Sequence, residues 1–374
     1  MKSPVIFGLA LSAVLLIPGL SRAVDVTDKV QVHAFGSWFY GKTSANSFGT
    51  GTEEGDYDNL QFALNVSAEP SDRLSINGQI DWEHKGGEEE IETELDFAFA
   101  QWEFAEWLKF RAGRLQQPFG IYTEIFDVGT LYPFSSPPFS VYGSVGIVTE
   151  GVDGAGFTGN HAWGDWDVDY DIYFGQLHLE EVEPWAVLAG EAAVGDPIEA
   201  ESEEIKNVIG GRFVIETPLI EGLRFGASAY TGEGIEEGGE KERVWVAGPQ
   251  IEYAFEPFGI RAEYYHKASD ETVDAGYVEG DFRFYEDHIQ LAGLFAWVET
   301  DSGVDVSLAP SVEEHKVYGI ALNYWFNSHF VIKTAYRFVD GNRLAVPAED
   351  NTPIATGMLE EQSHLAEAGV SFSF

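Results

Sequence analysis

The 374-residue chain carries 63 acidic against 21 basic side chains, a net charge of −42, and no cysteine. A surface of that sign excludes nucleic-acid binding, which depends on Lys and Arg against phosphate, and the chain builds no disulfide framework, which suits passage through an oxidising compartment. Aromatic residues at 14%, 41 glycines and few long helical periodicities point to an all-β fold.

In chain order, residues 1–23 read as a cleaved secretory signal. Lys2 opens it, Val5 to Ile17 is its apolar run, Pro18-Gly19 breaks that run, and Ser21-Arg22-Ala23 places small residues at the cleavage positions. The apolar run is too short to cross about 30 Å of hydrocarbon as a helix. Cleavage after Ala23 removes Lys2 and Arg22, leaving 19 basic and 63 acidic side chains, a net charge of −44. No later stretch approaches 18 consecutive apolar residues, so a membrane protein made from residues 24–374 has to be a closed barrel.

From there, apolar and polar residues alternate in segments about ten residues long, the length of a tilted spanning strand. Leu60, Phe62, Leu64, Val66 and Ala68 form one apolar face, with Asn59, Gln61, Asn65 and Ser67 opposite. Leu74, Ile76, Ile80 and Trp82 follow, backed by Ser75, Asn77, Gln79 and Asp81; then Leu108 to Leu115, and Trp166 to Phe174 interleaved with Asp167, Asp169 and Asp171. Leu223 to Ala229, Trp245 to Phe255, Ile260 to Tyr264, Ile289 to Trp297, Tyr318 to Phe326 and Phe330 to Phe338 repeat the pattern. The chain ends on Ala366, Ala368, Val370, Phe372 and Phe374 against Glu367, Gly369, Ser371 and Ser373. Fifteen segments are read directly, and a sixteenth is inferred near Gly280–Tyr285 because both termini should lie at one end of the barrel. Tight turns at Pro70-Ser-Asp, Ala105-Glu-Trp, Glu256-Pro-Phe-Gly and Asn327-Ser-His alternate with long stretches near 41–57, 178–203, 231–241, 299–312 and 340–360. The acidic clusters Glu53-Glu54, Glu88-Glu89-Glu90, Glu180-Glu181, Glu201 to Glu204 and Glu236-Glu237 are expected in loops.

One connection breaks the rhythm. After the fifth strand, residues 116–146 run without alternation, with Pro118, Pro133 and Pro137-Pro138, many aromatics, and only Glu124 and Asp127 as acids. So much apolar surface has a use if the segment folds back into the barrel and packs there. Parity then assigns the inward basic residues: Lys109, Arg111, Arg212, Arg224, Arg261, Lys267, Lys333 and Arg337, each flanked by outward apolar neighbours. Facing acids from Glu124, Asp127, Asp167, Asp169 and Asp171, they would either set up a transverse field in a pore or brace its wall through local pairs.

The closing strand with its aromatic terminus Phe374 resembles the last strand of bacterial outer-membrane β-barrels, and Gly113 to Glu124, GRLQQPFGIYTE, resembles a segment of Gram-negative porins that includes the phosphate-selective group. That group's lysine-rich loops have no counterpart here, which argues against phosphate selectivity. The resemblance implies a 16-stranded antiparallel transmembrane barrel in the outer membrane, constricted by 116–146 and assembled as a homotrimer. It would be exported through the periplasm and handed to the assembly machinery by Phe374. It would pass ions and small hydrophilic solutes by diffusion, with no cofactor, no metal and no catalysis. The rivals are a channel specific for an anion, phosphate or sugar, a plugged structural barrel, and an outer-membrane phospholipase or protease. A sugar path needs a file of inward aromatics, for which Tyr173, Tyr230, Tyr265 and Trp325 are the candidates. An enzyme needs a Ser/His or Asp/His pair on the rim or outer wall, and the sequence presents none. Gly154 to Gly159 matches G-x-G-x-x-G, but no βαβ unit surrounds it.

Overall fold

In the computed structural model, the described residues are 24–45, 48–84, 91–143, 147–181, 201–235, 241–269, 272–301, 314–341 and 362–374. The signal segment, Glu88 to Glu90 and Glu236-Glu237 lie outside them. Sixteen long strands make the wall: β2 (Val30–Thr43), β4 (Asp56–Ser71), β5 (Leu74–His84), β6 (Glu92–Ala105), β7 (Leu108–Gln116), β8 (Gly151–Trp163), β9 (Trp166–Glu181), β10 (Glu201–Glu216), β11 (Leu223–Ile235), β12 (Lys241–Phe255), β13 (Phe258–Ala268), β14 (Thr272–Phe284), β15 (Ile289–Asp301), β16 (Glu314–Asn327), β17 (Phe330–Asp340) and β18 (Gln362–Ser373). Two short pieces, β1 (Val24–Thr27) and β3 (Gly51–Thr52), pair with the edges of β2.

Every long strand runs antiparallel to its sequence neighbours, and β18 pairs with β2, so the sheet has no free edge. Phe374 completes the seam: its backbone N–H donates to Ala34 O and its carbonyl accepts from Ala34 N–H, both at 2.8 Å. Exposed residues such as Ile76, Ile172, Phe213, Leu291, Ile320 and Leu322 cover the outer face, the arrangement hydrocarbon requires. Short turns cluster at the end that holds both termini. Gly164 takes φ 68° in the two-residue turn between β8 and β9, and Tyr285, Glu286 and Asp287 all take positive φ between β14 and β15.

Two expectations change. Glu180-Glu181 and Glu201 to Glu204 are ladder residues in β9 and β10, not loop, because these 16-residue strands stay paired to their far ends, Glu181 opposite Glu201. The strand inferred near Gly280–Tyr285 is the full β14, starting at Thr272. The polarity of its first half is inverted, with Val273, Ala275 and Tyr277 buried inside and Asp274 and Gly276 outside, while Val278 and Phe284 face outward and Glu279 inward, so alternation marked only the second half. The buried core lies within the barrel: residues 117–143 and 147–150 fold against the inner wall, and Phe119, Tyr122, Phe134, Val141 and Ile147 are almost wholly covered. Each such side chain contributes of order 1.5–3 kcal/mol on burial.

Deleting Phe374 removes both seam hydrogen bonds beside Ala34. The expected result is a smaller fraction of barrel that keeps its fast, unheated mobility on a denaturing gel, with the surviving fraction still β-type by circular dichroism.

Candidate functional site

The segment between β7 and β8 is held at its neck by Gln117 N–H donating to Glu150 O at 2.9 Å and by the Gln117 amide, which joins Tyr173 OH at 3.0 Å to Thr149 N–H at 3.1 Å. Gly120 then turns the chain inward with φ 63°; a Cβ there would strike the Tyr142 hydroxyl and come within 2.8 Å of Glu263 Oε1, so only glycine fits. Gly120 N–H donates to Ser228 Oγ at 3.0 Å and Ile121 N–H to Glu263 Oε1 at 2.9 Å. Farther on, Asp127 accepts from Gln61 and Gln79 on the β4–β5 side, while Asn323 and Lys333 on β16 and β17 donate to backbone carbonyls between Gly129 and Phe134. The segment therefore touches opposite walls.

On the β8–β18 side these polar anchors are set among apolar contacts. Phe119 lies 5.6 Å from the Tyr230 ring and 4.6 Å from Tyr265, and Phe139 lies 5.1 Å from Phe48, above buried Val244, Val246, Val273 and Val298. Tyr173, Tyr230 and Tyr265 are buried in this packing, while Trp325 lies apart from it under Arg283, so the four do not form an open aromatic file for a sugar.

Lys109, Arg111, Arg212, Arg224 and Arg261 form a belt toward the short-turn end, and register sets Lys109 opposite Glu103, Arg212 opposite Asp171, and Arg224 and Arg261 opposite Glu252. Arg212, opposite Asp171 in the ladder, bonds it at 3.0 Å and also bonds Glu124 and Gly120 O. Arg111 lies 3.8 Å from the other oxygen of Glu124 and bonds Gln101 at 2.9 Å. Arg224 joins Asp169 at 3.0 Å and Glu252 at 3.1 Å. Arg261 reaches Glu279 at 3.3 Å, Asp281 at 3.7 Å and Glu252 at 3.9 Å. Lys109 faces Glu103 at 3.9 Å, Arg337 pairs with buried Glu367 at 3.3 Å, and Lys333 is spent on the segment. Of the acids named from sequence, Glu124, Asp169 and Asp171 join this belt, Asp127 sits on the opposite wall, and Asp167 is exposed beside the short turn. The geometry is one of neighbouring pairs rather than arginines ranged across a gap from carboxylates. Burial disfavours the charged form of Glu124, but Arg212 and then Arg111 outweigh it and hold its pKa below the usual carboxylate value.

The opposite wall is acidic and was largely missed. A bulge between Gln79–Ile80 and Leu95–Phe97 leaves Asp96 as the extra residue and turns it inward, where Gln79 Nε2 donates to it at 2.6 Å and to Asp127 at 2.7 Å. Gln61 bridges Asp127 to Asp81 at 3.0 Å each. Burial, then Asp96 and Asp81, raise the Asp127 pKa well above the ordinary value. Above it opens a cavity of about 380 Å³ lined by Asp81, Glu83, Glu92, Glu94, Asp96, Glu150, Arg114 and His178. Carboxylate oxygens of Asp81, Glu83 and Asp127 lie within 4.8 Å of one another, the spacing of a metal site, yet the Gln61 amide already accounts for the approach of Asp81 and Asp127. A second cavity of about 390 Å³ opens at the short-turn end, lined by Arg261, Arg283, Asp281, Asp287, Gln290 and Trp325. Single-sequence alternation could mark Asp81 and Glu83 as members of an acidic strand, but not the bulge that adds Asp96.

An Asp/His pair absent from the sequence reading does lie on the outer wall, His266 Nδ1 to Asp274 Oδ1 at 2.8 Å. Its surroundings are the Tyr264 phenol, which also bonds Asp274, and the Trp245 ring at 5.2 Å, an aromatic cluster of the kind found in membrane-interface girdles.

No protein-family profile and no curated protein sequence matches the chain. Solved structures do. OmpF of Salmonella typhi in complex with daunomycin superposes with a TM-score of 0.60 at 13% identity, over 93% of this chain and 98% of that one. An anion-selective porin from Comamonas acidovorans gives 0.56 at 9%, over 92% and 99%. OmpT of Vibrio cholerae, folded in vitro and in its trimer form, gives 0.55 at 12%, over 93% and 100%. With sixteen antiparallel strands closed on themselves and these matches over nearly the whole chain, the protein has the architecture of a Gram-negative outer-membrane porin.

Proposed function

We propose that the protein is an outer-membrane diffusion channel for ions and small hydrophilic solutes, narrowed by residues 116–146 and biased toward cations. The observation that carries the reading is the split interior: the segment fills the β8–β18 side with apolar packing, while charged cavities remain at both ends and carboxylates line the β5–β6 wall. The arginine belt contributes little net field, since each member has an acid within 4 Å, whereas among the described residues lining the other cavity six carboxylates, Asp81, Glu83, Glu92, Glu94, Asp96 and Glu150, stand with Arg114 and His178. A diffusion channel needs neither cofactor nor reacting group. Residues 1–23 would serve export, Phe374 recognition by the assembly machinery, and a homotrimer, as in the OmpT trimer, would be the working form.

Removing residues 121–140 should raise single-channel conductance in a planar bilayer while the barrel keeps its heat-modifiable mobility. Unchanged conductance would mean that the segment does not limit flow.

Reversal potentials across a salt gradient should show cation preference that declines as salt rises, because the Debye length is only about 8 Å at physiological ionic strength. Arg212→Ser leaves Glu124 and Asp171 without their shared cation and should strengthen the preference. Neutralising Glu88 to Glu90 should matter only at low salt. A wild-type channel with strong anion preference and saturable block by phosphate would replace this reading with the specific-channel alternative.

The preference should also depend on pH. Asp127, with its raised pKa, is neutral at low pH and becomes negative as pH climbs through that value, so cation preference should grow on alkalinisation. Asp127→Asn should flatten that part of the profile; an identical pH profile in the variant would assign the titration elsewhere.

A further inference from the structure

The inner wall grips the luminal segment with two fully covered ionisable side chains, one acidic and one basic. On β13, Glu263 accepts Ile121 N–H at 2.9 Å, the Tyr265 phenol at 2.9 Å, the Tyr277 phenol at 2.6 Å and the Tyr142 phenol. It thereby ties the entry of the segment at Ile121 to its return at Tyr142. On β17, 1% exposed Lys333 donates to Tyr132 O and Phe134 O at 2.7 Å each and to Gly129 O, and its ammonium lies 4.5 Å from the centre of the Tyr132 ring.

An ammonium has three donors, and all three here end on carbonyls of the segment. The carbonyls sit within six residues, so this stretch wraps the charge much as a loop wraps a cation. A buried charge without partners is strongly disfavoured, which makes the wall ions and the bent backbone mutually dependent. Beside Lys333, Arg337 bonds Ser135 Oγ at 3.1 Å and Asn323 bonds Pro133 O at 2.8 Å, extending the same grip.

We propose that Glu263 and Lys333 are positioning residues: two wall charges that hold the segment chiefly through its backbone and so set how far the channel is open. The proposal rests on the channel reading for its electrical consequence, but the placement of the segment can be tested without it. Lys333→Met keeps the length of the side chain and removes every donor. With three charge-assisted hydrogen bonds lost, transitions between current levels in a planar bilayer should become more frequent by about tenfold or more, tenfold corresponding to 1.4 kcal/mol. Glu263→Gln, similar in shape and uncharged, should act in the same direction.

A disulfide separates release of the segment from damage to the wall. A Cβ on Gly129 would lie 3.1 Å from Ser371 Cβ, a few tenths of an ångström short of disulfide spacing, and the chain has no other cysteine. Gly129→Cys with Ser371→Cys should cross-link readily in the otherwise native barrel and about tenfold more slowly when Lys333→Met is added. Once formed, the bond should restore quiet openings to the Lys333→Met channel, and reductant should abolish them again. Equal cross-linking rates with and without Lys333, in barrels of native unheated mobility, would overturn the proposal whether or not the protein conducts. A barrel that conducts nothing while cross-linking still depends on Lys333 would keep the clamp and remove the channel reading.

Discussion

Backbone polar groups cannot be left unpaired in hydrocarbon, and that one constraint organises the molecule. Sixteen strands satisfy it only by closing, and closure depends on the seam where β18 meets β2 and Phe374 shares both of its main-chain hydrogen bonds with Ala34. Closure fixes the register, and register determines which residue faces which. Arg212 meets Asp171, Arg224 meets Glu252, and Arg261 stands between Glu252 and Glu279, because the ladder places them opposite one another. The electrostatics of the interior is therefore a consequence of strand pairing.

Inside, the usual relation between barrel and lumen holds for only part of the wall. The β4–β7 arc carries Gln, Asn, Asp and Glu inward, as a wetted surface would. Much of the β8–β18 arc presents Val, Ala, Leu and Tyr, which would be unfavourable against water and are instead covered by the folded segment. The segment brings apolar bulk and backbone dipoles, and the wall brings most of the charge. This division explains how a chain of −42 net charge can contain so extensive a buried apolar cluster.

The strands were legible wherever one face meets hydrocarbon, as in Leu60 to Ala68 or Ala366 to Phe374, since the lipid imposes polarity on every second residue. Reading failed where a second apolar surface acts from within. In β14 the segment selects Val273, Ala275 and Tyr277 for the inside, while Asp274 joins His266 on the outer wall, and the expected parity inverts. The inward direction of Arg111, Arg212, Arg224 and Arg261 followed from local alternation, but their partners did not, since Asp171 and Arg212 are 41 positions apart in the chain. Asp96 is turned inward by a bulge that no periodicity marks, and Glu263, one of 63 acids in the sequence, is set apart only by the tyrosines that the fold gathers around it.

The depth at which the segment is anchored bears on how the molecule can fold. Gln117 reaches Tyr173 nearby, but Gly120 waits for Ser228, Ile121 for Glu263, Pro133 for Asn323 and Ser135 for Glu367, contacts separated by as many as 232 residues. Contacts of such separation are slow to form because their loop entropy is lost before they reward it. The groups that receive residues 120–135 do not stand together until the later strands have joined the ring. The final contacts of the segment therefore cannot form before β11, β13, β16 and β18 are in place, so the luminal filling and the completion of the wall are coupled steps of one assembly.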